Sequence, residues 1–517
     1  MRMRALPGPT SRGVLLLLGG CVAAVAPAGA QEVVARRDGL FQPSIAAEGS
    51  YLETRSRPTD NGREGILRLS PGLRWSSRSG LIQGDADYVG DLILRRGIGA
   101  TEGTDFQNAL NAHVLAEAVR GRVGVEGRAS ISQQALSAFG EQSVAGSPTI
   151  GDKNRSEVAT VSVSPYVRGS LAGVADYDLR LGVSRSKVRS EEIPDSRASD
   201  FQFTLTSPRG NRLGWDLLAQ QRRVETELAD GRPDAAENAR VRLSGNMTVM
   251  PQLQLSAGGG AETIDEGADA SRRTSKTANL GLQWAPSVRT QLLAEIEKRH
   301  FGTGGRVNFT HRGPQTVLTY AYVRDTTFGL DGTSLSRPTT LFQLGLVQAA
   351  SQFPDPVERQ QAVLADLLNR GLDPRQVVTV PVIGPAFSLQ RRQDISFAWL
   401  GRRISLNLQA FSTSTSQFVT PVGEESVTDE PVRQQGWTSA LSYRLTPYTA
   451  VTLGGQRRMT KASTAGAAND LKSADLGLTS QIGRRTTARV AARYTVFNSP
   501  TDPYRATSVS ASISQRY

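Results

Sequence analysis

Three histidines, His113, His300 and His311, are the only imidazoles in 517 residues, so any hydrolytic pair or histidine-bound metal must draw on them. His113 shares a parity with Asn111 and Glu117, His300 follows directly on Arg299, and His311 stands beside Arg312 and Gly313. None lies in a His-Glu-x-x-His helix, and the chain has neither a phosphate loop nor an acidic calcium loop of the required spacing. A lone serine–histidine pair can suffice for lipid hydrolysis, so an enzyme is one alternative. Histidines that merely stand in a solvated wall are the other. Gly258-Gly259-Gly260 sits inside an alternating stretch, where close packing or a bend is its reading rather than phosphate binding. The single cysteine, Cys21, leaves no framework for disulfides or a cysteine metal site. The sequence therefore offers no catalytic, metal or cofactor set.

The charged residues are more informative, because they keep to one side of alternating stretches. Asp85, Asp87 and Asp91 oppose Ala86, Tyr88, Leu92 and Leu94, and Glu295 with Glu297 forms a second acidic patch. Arg240, Arg242, Arg489 and Arg493 keep to the corresponding polar parity, as do Arg168, Arg180 and Arg222. Acidic and basic walls facing one another across a lumen would orient a polar chain or set ion preference. Simple pairing of opposite charges in a water-filled interior is the competing reading.

The elements that position these residues are strands. Leu67, Leu69, Leu73 and Trp75 oppose Arg68, Ser70, Gly72 and Arg74, and Val490, Ala492, Tyr494 and Val496 oppose Arg489, Ala491, Arg493 and Thr495. This two-residue period recurs from about residue 45 to the carboxy terminus. Short connections such as Arg120-Gly121-Arg122 and Gly483-Arg484-Arg485 take turns with longer polar ones such as 139–153 and 414–431. The pattern predicts an all-β, transmembrane, antiparallel up-and-down barrel of about 22 strands, within a range of 18 to 24. Its last strand, Tyr504–Tyr517, sets Val509, Ala511 and Ile513 against a row of serines and is expected to close on a first strand near Ile45 to Tyr51. The outward aromatics Trp75, Tyr88, Tyr177, Trp215, Trp284, Trp399, Trp437, Tyr443 and Tyr494 would supply interfacial belts, with all five tryptophans near strand ends or turns.

Composition agrees with this. Hydrophobic residues make up 38% of the chain and glycine is plentiful, at 51 residues, which is lean for a globular core of this length and apt for strands with one lipid-facing side. Arg2, Arg4 and Arg12, the apolar run Val14–Leu18 and the Ala28-Gly29-Ala30 site form an export signal over residues 1–30. Lipoprotein processing at Cys21 is the alternative. Removing the signal lowers the formal charge from +12 to +9, a moderate excess without aromatic–basic nucleic-acid motifs. A short periplasmic segment, 31–44, would lead into the barrel, 45–517. It is too short to build the plug of a siderophore-type transporter. The insert 330–388 breaks the alternation with a strand-like piece, Leu341 to Val347, and a helix within Pro354 to Arg370. That insert would cap the mouth, enter the lumen or pack on the rim.

The segment Ala129 to Gln142, with Asn154-Arg155-Ser156-Glu157, Ser164-Pro165-Tyr166-Val167-Arg168, Ala175-Asp176-Tyr177, Phe353-Pro354-Asp355-Pro356 and Leu400-Gly401-Arg402-Arg403, resembles the uncharacterised outer-membrane barrels associated with the PEP-CTERM and exosortase system and with exopolysaccharide clusters. The resemblance covers most of the chain and supplies no catalytic or binding residues. It implies a non-enzymatic channel or conduit in the outer membrane serving polysaccharide export. Its partners would be outer-membrane lipid, the barrel-insertion machinery reading Tyr517, a polysaccharide chain and periplasmic export components. A non-transporting structural or assembly barrel is the second expectation, and an outer-membrane lipid or glycan hydrolase the third.

Overall fold

In the computed structural model the described chain forms 22 strands, each pairing antiparallel with its sequence neighbours, while β1 (Leu40–Ser56) pairs with β22 (Tyr504–Arg516) to close a barrel. Outside the described residues lie 1–39, 57–60, 78–79, 99–102, 145–153, 172, 191–192, 209, 211, 228–232, 266–271, 418–430, 463–467 and all of 329–386 except Leu346, Arg359, Gln360, Ala362, Val363 and Leu367. Residues 1–30, the expected export signal with Cys21, are among these. Among the described residues no helix is long and apolar enough to cross a membrane; the strands do the crossing.

The strands relevant below are β2 (Asn61–Ser77), β3 (Ile82–Ile98), β4 (Gly103–Val119), β5 (Val123–Ala135), β6 (Arg155–Leu171), β7 (Ala175–Val188), β8 (Ser196–Thr206), β9 (Leu213–Glu227) and β10 (Pro233–Met250). After them come β11 (Leu253–Asp265), β12 (Arg273–Ser287), β13 (Thr290–Arg299), β14 (Gly302–Arg312), β15 (Thr316–Phe328) and β16 (Phe387–Leu400). The circuit finishes with β17 (Ile404–Gln417), β18 (Val432–Arg444), β19 (Thr449–Lys461), β20 (Ala468–Gln481) and β21 (Thr486–Asn498). Alternate connections gather at one end. There, none exceeds six residues, and Gly121 and Gly173 turn the chain at positive φ (69° and 77°), where a side chain would be strained. The other end carries the β5–β6 loop and the long β15–β16 insert.

The strand period fixes which side chains meet lipid. Val241 and Leu243, Leu476 and Leu478, Val490 and Tyr494, and Val509 and Ile513 are all exposed on the outward face, while the residues between them face the lumen. The seam follows the same rule: Ser508, Ser510 and Ser512 lie opposite Leu52, Ser50 and Glu48. The backbone N–H of Tyr517 still donates to the Pro43 carbonyl at 2.9 Å.

Several expectations need correction. The first strand starts at Leu40, so residues 40–44 belong to the barrel, because Ser44 is already in register with Arg516. Phe387 and Ser388 lie in β16, paired with Phe328 and Thr327, which shortens the insert to 329–386. Leu346 is helical rather than strand-like; the rest of 341–347 lies outside the described residues. Four tryptophans, Trp75, Trp215, Trp284 and Trp399, stand within the last four residues at the short-turn ends of β2, β9, β12 and β16. Trp437 stands in the middle of β18.

Candidate functional site: the lumen

The inward face of the barrel divides into three regions. The first runs over β10 to β15 and is a net of ion pairs. Arg240 Nη1 reaches Glu297 at 2.9 Å, and Arg242 pairs with Glu295, which also accepts from Arg306 at 2.6 Å. Arg240 and Glu297 stand three strands apart, roughly 14 Å at ordinary strand spacing, so the guanidinium must lie flat along the wall. Gly258 and Gly260 of β11 clear its path. A Cβ at Gly260 would run into the Val241 carbonyl, and one at Gly258 would meet Ser244 Oγ at 2.6 Å and Asn279 Oδ1 at 2.7 Å. Close approach is thus the role of the glycine triplet. Beside it Glu262, with its side chain 0% exposed, accepts from Arg299, from Asn238 at 2.8 Å and from His300 Nδ1 at 3.0 Å, and Arg299 also holds Asp325.

The second region spans β2 to β9. Glu126 is its hub, receiving His113 Nε2 at 2.8 Å together with Arg128 and Arg180. Arg74 pairs with Asp87 at 2.5 Å, Ser70 Oγ donates to Asp91 at 2.5 Å, and Asp85 stands in register with His113. Arg168 lies over the Tyr166 ring and 3.6 Å from Asp178, while Arg222 is 3.5 Å from Asp200. Farther round, Arg489 stands opposite Thr479 and Ser512, and Arg493 opposite Asp475 and Ser508. Of the two readings, pairing of opposite charges is what forms, not separate acidic and basic walls. Acids and arginines alternate along one wall, because the strands that carry them are neighbours.

The third region is unlike the others. From Ser405 to Gln417 on β17 and from Gln434 to Ser442 on β18, the inward parity holds no charge and mostly small side chains. Ser405 and Ser442 are wholly buried, as is Ala450 on β19. The insert between β15 and β16 covers this wall: helical Val363 and Leu367 form an apolar cluster with Ala440, with Leu346 packed against it. Ala440 lies four residues from the short-turn end of β18. The insert therefore enters the lumen and reaches its deeper half, the second of the three expected dispositions.

A second inward segment crosses near the loop end. Residues 136–144 of the β5–β6 loop are stapled by Asn154, whose side chain bonds Ser137 N, Ser137 O and Glu141 O at 2.8 to 2.9 Å. The segment then reaches β20 and β22, five to eight strands away round the circuit. Asn469 Nδ2 of β20 donates to the Phe139 carbonyl at 2.7 Å, and Tyr504 Oη of β22 donates to the Gln142 carbonyl at 2.6 Å. Val144 completes a buried cluster with Leu52, Ile66, Ile93, Leu471, Phe497, Tyr504 and Ala506.

Glu126, Glu262, Arg299, Asn469 and Tyr504 join the lumen site without having stood out in the sequence. A signal for the last pair existed. Leu52, Ile66, Ile93, Leu471 and Phe497 are apolar residues on the polar parity of their strands, and such residues need a cover. His311 faces Thr290 Oγ1 at 2.8 Å on the outward side. Among the described residues no group of three His, Cys, Asp or Glu could hold a metal ion.

No family model matches the chain, and no curated protein does. Among solved structures, the siderophore receptor PirA from Pseudomonas aeruginosa aligns over 92% of this chain and 80% of its own, at 9% identity and a TM-score of 0.42. PirA from Acinetobacter baumannii gives 92%, 80%, 8% and 0.45, and OccK5 (OpdH) from Pseudomonas aeruginosa 92%, 98%, 11% and 0.28. The likeness is one of barrel architecture. No residue role is carried over from these proteins.

Proposed function

We propose that the protein is an outer-membrane conduit for a polar chain, exported by a cleaved signal over residues 1–30, with a water-filled passage along the charged walls and a lumen narrowed by its own inserts. One observation carries the reading. Arg128, Arg168 and Arg306 keep 45%, 42% and 47% of their side chains exposed on the inward face of a closed barrel, and only water or a polar cargo can solvate charge there. The lumen residues Asp85, Asp87, Asp91, Glu295, Glu297, Arg168, Arg180, Arg222, Arg240, Arg242, Arg489 and Arg493 line that passage in this reading and set its ion preference. The resemblance in residues 129–168 and 353–356 supports a cargo of exopolysaccharide, with periplasmic export components as partners, and Tyr517 as the residue read by the insertion machinery.

Conductance across planar bilayers tests the conduit. Wild-type protein is expected to give small steps, and Leu367→Asp, which puts a carboxylate on the seat at Ala440, larger ones. Neutralising Arg489, which stands opposite Thr479 and Ser512, should reduce anion preference more than neutralising Arg240 or Arg242, whose charges Glu297 and Glu295 already balance. The depth at which the insert is seated favours a second reading, a structural barrel that passes nothing; silence from both wild type and Leu367→Asp would establish it. Loss of surface polysaccharide on deleting the gene would support the cargo, and unchanged polysaccharide would remove it.

A further inference from the structure

The segment 136–144 does more than fill space at the loop end. It leaves the wall between β5 and β6, reaches over the lumen, and is held on β20 and β22 by side-chain hydrogen bonds from Asn469 and Tyr504 and by one apolar seat. Its carbonyls at Phe139 and Gln142 accept from Asn469 and Tyr504. Its Val144 closes over Leu52, Leu471, Phe497 and Ala506, which are 1 to 4% exposed. The Tyr504 ring is itself braced against Phe497, with centroids 5.4 Å apart. At its own end the segment is folded by Asn154 and by Gln142 Nε2 bonding the Ala138 carbonyl at 2.6 Å. It is therefore a preformed unit, folded by its own hydrogen bonds as well as by the wall it meets. All the contacts on that wall come from the inward parity of strands near their loop ends, so releasing them leaves every barrel ladder intact.

We propose that residues 136–144 are a clasped lid over the loop end of the lumen, and that Asn469 and Tyr504 are the clasp whose release admits a polar chain too wide to pass beneath it. This rests on the conduit reading for its purpose, while the clasp itself is a matter of contact and can be tested separately. Seven buried apolar side chains on the lumen face of six strands stand apart from the water that bathes the charged walls. The lid is what keeps them dry.

Thiol protection tests this in the full-length barrel, with Cys21→Ser throughout so that no native thiol competes. Ala506→Cys places a thiol beneath Val144, and Ser514→Cys places one on the same face of β22, near the short-turn end and away from the lid. A small charged maleimide is expected to label Ala506→Cys at least tenfold more slowly than Ser514→Cys. Adding Tyr504→Phe and Asn469→Ala should bring the two rates together, while heat-modifiable mobility on gels stays that of the folded barrel. Equal labelling of the two thiols with the clasp intact would overturn the proposal, as would protection that survives both clasp substitutions. A protected Ala506→Cys in a barrel without conductance would remove the conduit and leave the clasp. Conductance with an unprotected thiol would do the reverse.

Discussion

Glu262 is the most enclosed charge in the lumen wall, and its stability depends on the groups around it. A buried carboxylate stripped of its guanidinium is costly even with Asn238 and His300 still bonded to it, so removing Arg299, which is 4% exposed against a 0% exposed Glu262, should destabilise the barrel by about 3 kcal/mol. Unfolding in urea, followed by tryptophan fluorescence, checks the value. Arg223→Ala, which breaks the exposed pair with Glu225, should stay within about 1 kcal/mol of wild type. Gly260→Ala is expected to lower the unfolding midpoint clearly, because its Cβ would meet backbone of β10, whereas Gly259→Ala, whose nearest neighbour is the Thr277 carbonyl at 3.3 Å, should be mild. The inward parity of Arg240, Arg242, Glu295 and Glu297 was legible from alternation alone. Their pairing across three strands was not, since it depends on tilt and on side-chain reach. The glycines on the same parity as Glu262 were the trace it left in the sequence.

Strands and insert differ in how they reveal themselves. A strand of a barrel shows its orientation residue by residue, because lipid and water sort side chains with period two. The closure of Tyr504–Tyr517 on a first strand around Ile45 to Tyr51 followed from that rule. The insert carries only an apolar helix face at Val363 and Leu367, which any of three placements would satisfy. What decided among them lies elsewhere in the chain, in the charge-free inward faces of β17 and β18. Small side chains there leave room for a helix, and the absence of charge lets it approach without desolvating one. Ala440→Phe fills that room. It should unseat the helix and speed trypsin cleavage between Phe328 and Phe387 at least tenfold, with the barrel core left intact on the same gel; an insert as resistant as in wild type would show that Ala440 is not its seat.

For the whole molecule the governing fact is closure. The pairing of β1 with β22 joins residues at opposite ends of the chain, so no fragment of the barrel lacks an open edge, and closed and open forms have nothing stable between them. A chain ending before Tyr504 is expected to yield no heat-modifiable band. Removing Tyr517 alone should reduce the band while Tyr517→Phe preserves it; full assembly of the deletion would dissociate the terminal aromatic from insertion. The tryptophans add a different kind of information. Trp75, Trp215, Trp284 and Trp399 all stand at the short-turn end on the outward face, and amphipathic rings settle at the membrane interface. The short-turn rim thus carries the tryptophan anchors. The opposite rim carries the loops, the lid and the mouth of the insert but no matching tryptophan ring. Its outward rings are tyrosines instead, Tyr51 and Tyr494, so the two rims meet the bilayer with different aromatic anchors.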